Sequence, residues 1–226
     1  FVDLVRETQP DLVILAGDIY DRAVPPPEAV RLYDDVLARV VRGLEVPVIA
    51  IAGNHDSAER IDWGHQLLDA SGYYVRGLVR PDTAPIVLCD EHGPVYFCPL
   101  PYAEPSIVKD AIYGGKPPHA LNHGFAMAAL VDQAVAQLPE GARAVAIAHG
   151  AVTGAYECES ERPLWVAQAG YAQPALFSRF CYTALGHFHK PQRVNVLGDD
   201  AGLWLEYPGS LLKYGFSEHD QTKSVN

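Results

Sequence analysis

The sequence predicts an α/β fold, in which short apolar strands alternate with helices. Three observations carry this. The runs Asp11–Asp18, Pro47–Gly53 and Ala142–Gly150 are apolar at consecutive positions, as strands are when a sheet is covered on both faces. Helical stretches lie between the strand runs. Four apolar runs end in glycine or histidine followed by further polar residues, which is where an α/β sheet carries its reactive groups.

The elements follow in chain order. Phe1, Leu4 and Val5 have helical spacing that stops before Pro10. Asp11–Asp18 is a buried strand running into a loop. Pro26–Gly43 is a helix with proline at its entry and glycine at its exit. Pro47–Gly53 is a second buried strand, and Glu59–Ala70 is helical. Pro85–Asp90 and Val95–Leu100 form a hairpin across a Glu-His-Gly turn. Gly114–Pro118 is a loop, and Ala120–Leu138 is a long helix. Ala142–Gly150, Tyr182–His187 and Leu203–Ser210 are further strands, and Thr222–Asn226 reads as the start of another. Both ends look cut, as in a piece of a longer protein.

Composition narrows the function. The 226 residues carry 17 Lys plus Arg against 28 Asp plus Glu, a formal net charge of −11. Such a chain has no global attraction for DNA or an anionic membrane, so any grip on nucleic acid is local. No apolar run is long enough to span a bilayer, and the first residues lack the pattern of a signal peptide. Cys89, Cys98, Cys158 and Cys181 form no CxxC pair and read as free, buried thiols of a cytoplasmic protein.

The chemistry sits after four strands: Gly17-Asp18-Ile19-Tyr20-Asp21, Gly53-Asn54-His55-Asp56, His149-Gly150 and Gly186-His187-Phe188-His189. Taken singly, a Gly-Asp is a turn and a lone histidine is a structural hydrogen-bonder. Together they deliver oxygen and imidazole donors to one edge, a set that suits manganese, iron or zinc. The order resembles the calcineurin-like metallophosphoesterases, which carry D-x-H, G-D-x-x-D, G-N-H-D/E, a lone His and G-H-x-H. The flanking phrases GDIYDRAVPPPEAV, AGNHDSAERI, ESERPL, FCYTALGHFHKPQ and YPGSLLKYGFSE resemble the SbcD nuclease subunits of bacteria, from Pro10 to Val225.

The resemblance implies a β-sandwich flanked by helices, α-β-β-α, lacking its first strand. Residues 1–226 would form one metallophosphoesterase core, incomplete at the N-terminus and without a C-terminal region for DNA and partner. Two divalent ions, manganese foremost, would be held by Asp18, Asn54, His149, His187 and His189. His55 would face the scissile phosphate, oriented by Asp21, with Asp56 holding the loop. The substrate would be DNA and the partner an SbcC-type SMC-like ATPase. The full-length protein would be a homodimer with no membrane association.

One motif is missing. No Asp-x-His precedes Gly17, and Asp3-Leu4-Val5 is no substitute. The first metal would keep only Asp18 and His189, so this chain is expected to be weakly active or inactive. Arg22, Arg60, Arg162, Lys190 and Arg193 are candidates for phosphate contacts. Tyr102, Tyr156, Trp165, Tyr207, Tyr214 and Phe216 are candidates for base stacking or for core. Two other readings stand beside the nuclease: a phosphatase or phosphodiesterase for small substrates, and a non-catalytic scaffold.

Overall fold

Two β-sheets pack face to face between helices. The computed structural model describes residues 1–118, 122–158, 161, 170–196 and 202–226. Strands β1 (Val13–Leu15), β2 (Val48–Ile51) and β3 (Tyr73–Arg76) form a three-stranded parallel sheet in that order. The second sheet has β4 (Ile86–Asp90), β5 (Gly93–Leu100), β6 (Arg143–His149), β7 (Tyr182–Gly186), β8 (Gln192–Arg193) and β9 (Leu205–Tyr207). Its order is β4-β5-β6-β7-β9-β8, parallel from β5 to β9 and antiparallel at both edges.

The two-residue side-chain period of a strand explains the layers. On β2, Val48 and Ala50 face one way and pack with Val2 and Val5 of α1 (Val2–Thr8). The same cluster takes in Tyr33, Val36 and Leu37 of α2 (Pro27–Leu37). Ile49 and Ile51 face the other way and meet Ile86, Phe97 and Ile147 of the second sheet. On β6, Ala144, Ala146 and Ala148 face away from this inter-sheet seam. They pack under Met127, Leu130, Val131 and Ala134 of α6 (His123–Ala136). Ile49, Ile51 and Ile147 have no exposed surface, so each contributes about 1.5–3 kcal/mol by burial. This is the helix-flanked sandwich that the family resemblance implies.

Several elements differ from expectation. The helix entered at Pro26 leaves α-geometry after Leu37 and closes as a π-turn over Ala38–Gly43. The helical stretch after Glu59 breaks at Gly64, whose φ of 74° ends one short helix, α3 (Ala58–Ile61), before the next, α4 (His65–Leu68). The hairpin turn is tighter: Asp90 pairs with Gly93, and the strand begins at that glycine. β3 and the helix α5 (Pro105–Tyr113) are elements beyond those the sequence pattern marks. β3 alternates buried and half-buried positions and lies at a sheet edge, so it lacks a continuous apolar run.

The long helix starts after an Asn122 cap, whose Oδ1 accepts from Phe125 N–H. Ala120 lies outside the described residues. The last strand is only Leu205–Tyr207, because Pro208 lacks a ladder donor and Gly209 takes φ of 78°. Residues 222–226 form no strand. The thiols are all free, but Cys89 and Cys181 are exposed rather than buried.

Candidate metal centre

Four strand ends, two from each sheet, meet at one end of the seam. His149 shares its strand face with Ile147, so the alternation that buries Ile147 between the sheets also aims His149 there. Three glycines let the strand ends touch. A Cβ on Gly186 would sit 1.8 Å from Ala16 O, and one on Gly53 would sit 2.2 Å from Asp18 N. On Gly17, which also has φ of 89°, it would sit 2.3 Å from His149 Nδ1. Gly17, Gly53 and Gly186 are therefore packing requirements that bring Asp18, Asn54 and His187 into the site. Two site residues hold rare backbone conformations, Asp18 at φ 51° and His187 at φ 116°. Such strain gathers at functional sites.

The site collects electron-pair donors. His149 Nδ1 lies 2.7 Å from Ala16 O. A carbonyl only accepts, so Nδ1 carries a proton, and Nε2 is the atom that takes a second proton or a cation. That Nε2 faces Asn54 Oδ1 at 2.9 Å and Asp18 Oδ2 at 3.4 Å. The same Asn54 oxygen lies 3.1 Å from His187 Nδ1. Single ligand atoms of Asp18, His149 and His187 all fall within 4.8 Å of one another. A carboxylate, an amide oxygen and imidazole nitrogens converging this closely need a shared cation or proton between them. The donor set fits a borderline divalent ion such as manganese, iron or zinc.

The electrostatics agree. Burial drives the His149 pKa down, yet the Asp18 carboxylate beside it outweighs burial and holds it above its ordinary value. Burial pushes up on Asp18 too, but the charge and hydrogen bond of His149, with the His55 N–H, hold it below the usual carboxylate range. His187 is pushed down to about 3 by burial first and then by the charge on His149. It is therefore an unprotonated imidazole at neutral pH.

The remaining motif residues frame this cluster. Asp56 accepts from the N–H groups of Ile19 (3.0 Å), Tyr20 (2.9 Å) and Gly53 (2.9 Å), tying the first two motifs together. The His55 N–H donates to Asp18 Oδ1 at 2.9 Å, and its ring Nδ1 lies 2.9 Å from the Asp21 carbonyl oxygen. The Asp21 carboxylate is farther away, at 4.0 Å from that nitrogen. His55 thus meets the backbone of Asp21 more closely than its side chain.

His189 is not among the three residues of the tight group. Its Nδ1 pairs with Glu218 at 3.1 Å, and its N–H donates to Glu161 at 2.6 Å. Glu218 and the Ala16 carbonyl carry no local sequence signal, since each meets its histidine across a long chain separation. Tyr102 approaches His149 edge-on, with ring centroids 6.3 Å apart, while Tyr207 is core and bridges Gly150 O and Val152 N. Tyr156, Tyr214 and Phe216 are exposed. Lys190 sits over the Tyr156 ring and Arg193 over Trp204. Arg162 and Trp165 lie outside the described residues.

Seam, glycine contacts and donor cluster together define an α-β-β-α protein with a side-chain cluster able to hold a divalent metal ion. Residues 1–130 match the Calcineurin-like phosphoesterase family, which is more than half of the chain. The chain belongs to that family, whose members are metal-dependent phosphoester hydrolases. Among the described residues no helix is long and apolar enough to cross a membrane.

Proposed function

We propose that this chain is the catalytic core of an SbcD-type DNA nuclease, a phosphodiesterase that takes manganese and works with an SbcC-type SMC-like ATPase as a homodimer in the cytoplasm. The observation that carries the hydrolytic part is the convergence of Asp18, Asn54, His149 and His187 on one point. Asp18, Asn54, His149 and His187 would hold metal there, and His189 with Asp18 a second ion. Bound divalent ions supply charge neutralisation and Lewis acidity at a phosphodiester.

The protein's own groups do the rest. Neutral Asn54 and neutral imidazoles leave the bound ions with net positive charge, so a chain of formal charge −11 still offers phosphate a positive pocket. His55, tethered through Asp21 O, is the proton donor to the leaving oxygen. DNA is favoured over a small ester by the SbcD-like phrases and by the rim beside His189. Tyr214 lies 5.4 Å from the His189 ring, and Phe216 is fully exposed, a disposition suited to stacking on unpaired bases.

The test is single-turnover cleavage of labelled duplex, hairpin and single-stranded DNA with manganese, alongside p-nitrophenyl phosphate. The reading expects slow cleavage of DNA that disappears in His55→Ala. Hydrolysis of the small ester with none of DNA would favour the phosphatase reading. No hydrolysis of either would favour the scaffold.

A further inference from the structure

A second buried charge cluster lies behind His189. Glu218 has no exposed surface. Its Oε2 is taken by the Lys223 ammonium at 2.6 Å and by the Tyr214 N–H at 3.2 Å, which pins the carboxylate and leaves Oε1 to face His189 Nδ1 at 3.1 Å. Lys223 also donates to the His189 carbonyl at 2.8 Å and to Ser210 Oγ at 2.9 Å. The His189 N–H is held by Glu161, and its carbonyl also accepts from Ser210 N–H at 3.0 Å. Gly209 permits this close turn: a Cβ there would lie 2.6 Å from His189 O. The segment from Gly209 to Lys223 thus folds back on one histidine and fixes both its backbone and its ring.

The chemistry of the contact is specific. A carboxylate accepts and does not donate, so the hydrogen on the imidazole is held at Nδ1 and Nε2 is left with its electron pair. Metal-binding histidines commonly have such an outer carboxylate, which sets tautomer and ring orientation and strengthens the nitrogen as a ligand. A buried carboxylate needs a partner charge, and Lys223 provides it.

We infer that Glu218 is a positioning residue: paired with Lys223, it fixes the Nδ1–H tautomer and the orientation of the His189 ring, so that Nε2 is presented as a ligand for a divalent cation. The inference rests on the reading of His189 as a metal ligand. It adds two residues, Glu218 and Lys223, that act on the centre only through His189.

The experiment uses ring-nitrogen NMR of the whole chain and a cadmium titration. In the unsubstituted protein the metal-free His189 ring shows the Nδ1–H tautomer, and cadmium gives a scalar coupling to His189 Nε2. In Glu218→Ala the tautomer becomes mixed and cadmium binds about 10–100-fold more weakly at His189, while signals of His149 and His187 keep their tautomers. Should the lone Lys223 charge unfold that variant, the paired change Glu218→Leu with Lys223→Met removes both charges together and gives the same readout.

An unchanged tautomer and unchanged affinity in a folded variant would overturn the positioning role of Glu218. Failure of the unsubstituted protein to couple cadmium to His189 at saturation would instead overturn the reading of His189 as a ligand, and the inference with it.

Discussion

Gly186→Ala tests the interlocking of the strand ends that makes the centre. The new methyl group would lie 1.8 Å from Ala16 O and 2.8 Å from His149 Nδ1. Both contacts are far inside van der Waals distance, and the nearer one is backbone. The substitution therefore wedges β1 away from β7 and breaks the 2.7 Å bond between His149 and Ala16 O. Overpacking costs about 1–3 kcal/mol and the lost hydrogen bond about 1 kcal/mol, for a total of about 2–4 kcal/mol. For a chain of this size that corresponds to a fall in Tm of roughly 4–16 °C.

Thermal unfolding followed by circular dichroism measures it, with Gly202→Ala as the control. Among the described residues a Cβ at Gly202 meets nothing within 4 Å, so that variant stays within about 0.5 kcal/mol of the parent. Gly186→Ala should also weaken manganese binding, because Nε2 of His149 is aimed by the bond that is lost. Equal melting temperatures for the two variants would refute the claim that the sheets are locked together at this glycine.

Other expectations follow from the same geometry. His55→Ala should abolish turnover while manganese binding survives, as measured by calorimetry beside a single-turnover assay; normal cleavage would remove His55 from catalysis. Breaking the half-buried Asp62–Arg80 pair by Arg80→Met leaves Asp62 holding the N–H groups of Gly77 and Leu78 and facing His65 Nδ1 at 3.1 Å, and should cost about 1.5–3 kcal/mol in urea unfolding. The metal-free protein should lose stability in acid through His187. Its pKa falls from 6.5 to about 3 on folding, so between those values the unfolded chain binds the extra proton and stability drops as pH falls. Unfolding followed across that window should show a weaker acid dependence in His187→Asn.

The central strands were legible because they are buried on both faces. Val48–Ile51 and Ala144–Ala148 are apolar at every position, since one set of alternate residues faces helices and the other the seam. β3 was missed because an edge strand with alternating burial resembles the stretch around it. The break at Gly64 shows a local φ preference overriding helical spacing. In the site, Asp18, Asn54 and His187 were readable because each follows a glycine that only close packing explains, whereas His149 is signalled only by its place at the end of an apolar strand. The Asp21 backbone contact and the Glu218–Lys223 bracket were not readable. Both depend on which atoms meet across long chain separations, and no local pattern encodes that.

The most direct measurement is a crystal of this chain grown with manganese, with diffraction recorded at the manganese absorption edge. An anomalous peak is expected, bounded by Asp18 Oδ2, Asn54 Oδ1, His149 Nε2 and a ring nitrogen of His187. A fully ordered structure with no peak among those four side chains, at saturating manganese, would contradict it.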